Sequence, residues 1–196
     1  MPIETIHSRR STSIKDCEIV PVSANRDERG CLYEIYRETW PGAFRAVQWN
    51  ACASDTGVVR GAHVHVDYSE FYTLPRGEVI IGLSDIRGDS PTFGKSAQFH
   101  WADRDAVAFV VPPGVAHVVL FKADSVLAFG LSGYWERQRD VVGCQWDAPE
   151  FGFDWPDGPV RRSARDLASG TYSQMLDDYR SLADTWQSGR RAASCR

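Results

Sequence analysis

The chain has 196 residues, 43% of them hydrophobic and 24% charged, enough to bury one sizeable core without disulfide or metal staples. Its 22 Lys and Arg against 26 Asp and Glu give a formal charge of -4, so no electrostatic grip on a phosphate backbone is expected and nucleic acid is excluded as a partner. No run approaches the roughly 18 uninterrupted apolar residues of a spanning helix, and residues 1–15 carry no apolar signal core, so no membrane association is expected and the location read from the sequence is cytoplasmic.

Between residues 19 and 135, short apolar or alternating runs are punctuated by Gly, Pro and Asp. They predict strands over 45–49, 70–74, 78–85, 96–101, 106–111, 116–121 and 125–131. With no helical period between them, that pattern is an antiparallel all-β sandwich or barrel. Residues 136–168 read as loop-rich. Within them the stretch WDAPEFGFDWPDGP (146–159) is expected to be an ordered loop, because its aromatics need burial. From Thr171 onward, Tyr172, Met175, Leu176, Tyr179, Leu182, Ala183 and Trp186 recur at three- and four-residue steps, which predicts a packing helix over about 171–187 and a frayed tail over 188–196. The whole chain, 1–196, reads as one domain. Cys17, Cys31, Cys52, Cys144 and Cys195 are odd in number, far apart and form no CxxC pair, so they are expected to be reduced packing residues, with Cys195 in the tail. His7 and His100 are isolated, with surface or packing roles expected. Asp85, Arg87 and Asp89 read as a solvated strand end or a subunit contact.

The densest chemistry lies in GVVRGAHVHVDYSEFYTLPRG (57–77). On a β-strand residues i and i+2 face the same side, so His63 and His65 are expected to point together, with a turn returning Glu70 beside them. PPGVAH (112–117) adds a turn followed by His117 on a fresh strand. Three imidazoles and a carboxylate suit a divalent transition metal (iron, manganese, nickel, copper or zinc) and leave coordination positions open. The alternative is a metal-free barrel mouth in which His65 and Glu70 form a hydrogen-bonded polar pair. The spacing G-x5-H-x-H-x4-E-x6-G followed by P-x-G-x2-H resembles the pattern of the cupin superfamily, which implies a double-stranded β-helix, or jelly-roll barrel, in agreement with the strand pattern.

A longer ordered set of motifs resembles the dTDP-4-dehydrorhamnose 3,5-epimerases and their nucleotide-sugar relatives. It comprises DERGCLYE (27–34), QWN (48–50), GVVRGAH (57–63), RGEV (76–79), DIR (85–87), SPTFG (90–94), PGVAH (113–117), DWP (154–156) and SARD (163–166). The resemblance implies proton abstraction beside the keto group of a nucleoside-diphosphate 4-keto-6-deoxy sugar, without a cofactor. In that frame His63 is the base, Asp166 orients it, and Tyr134 returns the proton on the opposite face. Arg29, Glu34, Gln48, Asn50, Arg60 and His117 bind substrate, and the protein pairs as a homodimer. The chemistry accounts for these parts: a base near pH 7 is most naturally histidine, a buried carboxylate fixes its tautomer, and inversion needs a second proton donor.

Some positions depart from the family pattern. Glu70 falls where the family has a lysine, a carboxylate where a developing enolate would want a cation. Leu32 replaces a stacking phenylalanine, and Trp135-Glu136 follows Tyr134. Two other readings therefore stand beside the epimerase: a metal-dependent cupin isomerase, lyase or oxygenase using His63, His65, Glu70 and His117, and a catalytically silent sugar-binding cupin. The first two compete for one residue, since a metal-bound His63 has its lone pair committed and cannot be a free base.

Overall fold

The alternation of apolar and small residues through EVIIGLSD and VAHVVLF sets two central strands whose side chains are buried on both faces. In the computed structural model, which describes residues 3–5, 12–40, 42–136 and 142–194, these are β8 (Glu78–Asp85) and β11 (Val115–Phe121), paired antiparallel from Val115 opposite Asp85 to Phe121 opposite Val79. The sheet they centre also holds β1 (Glu4–Thr5), β9 (Ser96–Ala102) and β6 (Val59–His63), in the order β1-β9-β8-β11-β6. A second five-stranded sheet runs β2-β10-β7-β12-β5, from β2 (Glu18–Pro21), β10 (Val107–Val111), β7 (Glu70–Arg76), β12 (Ser125–Leu131) and β5 (Gln48–Ser54). A hairpin of β3 (Ala24–Asp27) and β4 (Gly30–Tyr33) forms a small separate sheet. The expected all-β jelly-roll architecture is therefore present.

Between the two large sheets lies one apolar core, with Ile81, Leu83, Phe99, Trp101, Val119 and Phe121 from the first meeting Tyr72, Leu74, Phe109 and Leu127 from the second. The outer face of the first sheet is covered as well. Ile80, Val118 and Leu120 pack with Trp146 and Phe151 from the loop after β12, and with Met175 from a C-terminal helix. The 146–159 loop is ordered as expected, with Trp146 and Trp155 at 5.2 Å between ring centroids and Phe151 stacked on Phe153 at 5.0 Å. The helix stripe also holds: Tyr172, Leu176, Tyr179 and Leu182 join Met175 on the sheet. The helix itself is longer than its apolar stripe, running from Tyr172 to Ser194, so the tail read as frayed from 188 is helical to that point. Its last turns are rich in Arg and Ala, which propagate a helix already nucleated by packing.

Other expectations shift. The strand read over 45–49 starts at Gln48, and the β2 strand, the β3–β4 hairpin and β6 were not among the predicted runs, being short or polar. Asp85 is fully buried rather than solvated, its carboxylate accepting hydrogen bonds from Arg87, Ser90 and Thr92. His100 pairs with Glu78 at 2.8 Å. Cys17, Cys31, Cys52 and Cys144 are free thiols, while His7 and Cys195 fall outside the described side chains. Among the described residues no helix is long and apolar enough to cross a membrane.

Candidate active site

The strand β6 carries the central histidine because a glycine lets it approach its neighbour. Gly61 has φ +114°, and a Cβ there would lie 2.5 Å from the carbonyl oxygen of His117, so only glycine fits between β6 and β11. His63 and His117 are register partners across these strands, with their rings edge to face at 6.2 Å.

β6 ends at His63. His63 and His65 nonetheless both face one cavity, as their spacing predicts, each with its ring beside that of His117 at 6.2 and 5.3 Å. Their hydrogen-bond partners differ. His63 Nε2 lies 2.7 Å from Asp166 Oδ1. Asp166 sits on the short helix α1 (Ala164–Leu167), whose first turn is capped by the Ser163 hydroxyl accepting from the Asp166 backbone N–H. Burial opposes ionisation of Asp166. The His63 hydrogen bond, the nearby positive charge and the Ser163 hydroxyl outweigh it and hold the carboxyl below its usual range. A carboxylate accepting from Nε2–H places the ring's lone pair on Nδ1.

His65 turns instead toward Glu70, with Nε2 3.4 Å from Oε1, and its Nδ1 meets the Tyr68 hydroxyl at 2.7 Å. His117 Nε2 lies 3.4 Å from Glu70 Oε2. Burial alone would raise the Glu70 carboxyl. The pull of His65 and His117, with hydrogen bonds from His65 and Tyr72, lowers it below the usual carboxylate range. Burial pushes the His117 imidazole down, toward its neutral form. Of the expected four-residue ligand set, His65, Glu70 and His117 bring ligand atoms within 4.8 Å of one another, while His63 is paired with Asp166.

Both groups line a single cavity of about 370 Å³. Of the residues expected to hold substrate, Gln48, Asn50, Arg60 and His117 line it. Gln48 and Asn50 are joined by a 3.0 Å hydrogen bond along β5, and Arg60 is steadied by the Ser54 hydroxyl. Three expected residues are absent from that lining. Arg29, 83% exposed at its side chain, pairs with Asp27 in the turn of the hairpin, and Glu34 just beyond it pairs with Arg37. Tyr134, just after β12, is 69% exposed, and its neighbour Trp135 lines the cavity. The residues that sequence reading missed are Tyr68, Tyr72 and Arg165. Arg165 was visible inside the SARD motif. The tyrosines were hidden because each reads as an ordinary aromatic core position.

The sequence profile of the dTDP-4-dehydrorhamnose 3,5-epimerase family matches residues 11–174. The chain belongs to that family. Its similarity to the dTDP-4-dehydrorhamnose 3,5-epimerase of Mycobacterium tuberculosis is 30% identity over 186 residues, covering 89% of this chain and 90% of the relative. The Sinorhizobium fredii enzyme of the same name is 29% identical over 159 residues, covering 75% of this chain and 80% of the relative. Among solved structures, the 4-keto-6-deoxy sugar epimerase from the novobiocin gene cluster of Streptomyces spheroides superposes with a TM-score of 0.77 at 26% identity, covering 91% of this chain and 94% of that one. The Legionella pneumophila epimerase, solved in complex with dTDP-4-keto-L-rhamnose, gives 0.75 at 27% identity, covering 85% and 95%.

Proposed function

We propose that this protein is a nucleotide-sugar epimerase that removes the proton on a carbon next to the C4 keto group of a nucleoside-diphosphate 4-keto-6-deoxy sugar and returns one to the opposite face. The observation that carries the reading is the His63–Asp166 pair at 2.7 Å, facing a cavity that also presents Arg60, Gln48 and Asn50. An imidazole oriented by a buried carboxylate is a base matched to neutral pH, and the proton transfer it performs requires no cofactor. Arg60 and Arg165 supply the positive charge a diphosphate needs, and Gln48 and Asn50 offer amides to sugar or base. The Legionella complex with a dTDP-keto sugar supports thymidine diphosphate as the carrier.

The returning proton is assigned to Tyr68, which lines the cavity where Tyr134 does not. The protein is further inferred to work as a cytoplasmic homodimer, supported by exposed apolar residues Leu32, Ile35, Val47 and Trp49, which a partner surface would cover. A monomeric mass in light scattering would remove the dimer from the account.

The test is incubation with dTDP-4-keto-6-deoxyglucose while proton NMR follows the sugar. Conversion to an epimer at C3, C5 or both is expected. Unchanged substrate at high enzyme concentration, with binding intact, would favour the silent sugar-binding reading.

A further inference from the structure

The cluster of His65, Glu70 and His117 takes no part in the proton removal assigned to His63, and the protein does not fully satisfy its polar groups. One ligand-capable atom from each residue lies within 4.8 Å of the other two. Glu70 Oε1 is 3.4 Å from His65 Nε2, and Oε2 is 3.4 Å from His117 Nε2. Both are long, weak contacts beside the 2.7–3.2 Å of a well-formed N–H···O bond, so the histidines satisfy the carboxylate poorly.

Glu70 is 3% exposed, and its Oε2 is buried without a hydrogen-bond partner. A buried carboxylate oxygen left in that state is costly, and a bound cation is one of the few ways to compensate it. The surroundings fit the same purpose. The Tyr68 hydroxyl holds His65 Nδ1 at 2.7 Å, which leaves Nε2 turned to Glu70, the arrangement by which an outer partner fixes the ring orientation of a ligating histidine. His65, Glu70 and His117 all line the cavity, so an ion held by these three would keep coordination positions open toward it.

We propose that His65, Glu70 and His117 form a three-ligand site for one divalent transition-metal ion, in the same cavity as the His63–Asp166 pair and sharing no residue with it. The division removes the conflict that a four-ligand site would create, because His63 keeps its lone pair for the substrate. Two imidazoles and one carboxylate are a borderline donor set that suits zinc, cobalt, nickel or ferrous iron over magnesium or calcium. One consequence rests on the epimerase reading: an ion held by these three residues would add positive charge to the cavity that His63 also lines.

The test is titration of chelator-stripped, full-length protein with Co(II), followed by its visible ligand-field bands, and with Zn(II), followed by calorimetry, both without substrate. One equivalent is expected to bind, with bands typical of four- or five-coordinate cobalt. Glu70→Gln and, as an independent second variant, His65→Asn are each expected to weaken binding at least tenfold, while His63→Ala and Asp166→Asn retain it. Absence of binding overturns the proposal, as does binding undiminished in both Glu70→Gln and His65→Asn, which would place the ion elsewhere. Loss of binding in His63→Ala overturns the separation of the two sites. Because stoichiometry is read without substrate, failure to epimerise a sugar nucleotide leaves this result standing, and the reverse also holds.

Discussion

At the scale of single residues, the account turns on what each imidazole touches. His63 is useful as a base only if one nitrogen is occupied and the other open, and Asp166 performs that division at 2.7 Å. Asp166→Asn keeps the shape but can present an amide N–H to Nε2, favouring the wrong tautomer, and kcat is expected to fall by roughly 10²–10⁴-fold with little change in KM. Steady-state kinetics check this, and equal losses in kcat and substrate affinity would instead mark Asp166 as a binding residue. Tyr68→Phe is expected to allow proton removal while suppressing inversion, so solvent label still enters the sugar but the epimer fails to accumulate. Tyr134→Phe should leave both readouts unchanged, and the opposite pattern would return the acid role to Tyr134. The pairing of His63 with Asp166 was legible in the sequence only through the RGxH and SARD motifs, which lie 103 residues apart. The different partners of His63 and His65 were not legible, because an H-x-H spacing predicts a shared face and says nothing of what each ring bonds.

Elements explain why these residues meet. β6 and β11 bring His63 opposite His117, and Gly61 permits that approach. Gly61→Ala would force a methyl group to within 2.5 Å of the His117 carbonyl oxygen at a backbone angle that favours glycine. The expected cost is about 2–4 kcal/mol, and activity should fall beyond what stability explains because both histidines shift. Thermal unfolding alongside activity measures the two effects, and a fully active variant of unchanged Tm would show that the strands have slack. Most central strands were legible from alternation and turn residues, since each buries a continuous apolar face. The β3–β4 hairpin was not: its strands are short and their residues intermediate or exposed, so no buried apolar face gives a signal there.

Across the whole molecule, the buried carboxylates set its response to acid. Asp85 lies at the end of β8, and burial works against its charge. Hydrogen bonds from Arg87, Ser90 and Thr92 prevail and lower its pKa from 3.8 to about 2. A carboxyl depressed in the folded state contributes stability that is fully present above its unfolded value and is lost as pH falls through the folded one. The Asp85 contribution should therefore disappear between about pH 4 and pH 2, and Asp85→Asn should flatten the fall in stability over that window. Denaturant midpoints measured across it provide the check, and an unchanged pH dependence in the variant would show that Asp85 is not the group responsible.

Proton exchange next to a keto group is the claim on which the function depends. It is tested most directly by incubating the protein with dTDP-4-keto-6-deoxyglucose in deuterium oxide and reading the sugar by NMR and mass spectrometry. The account predicts deuterium at a carbon flanking the keto group, catalysed by the wild type and abolished by His63→Ala. A sugar nucleotide that binds yet never acquires deuterium, or one labelled equally fast by His63→Ala, would contradict it.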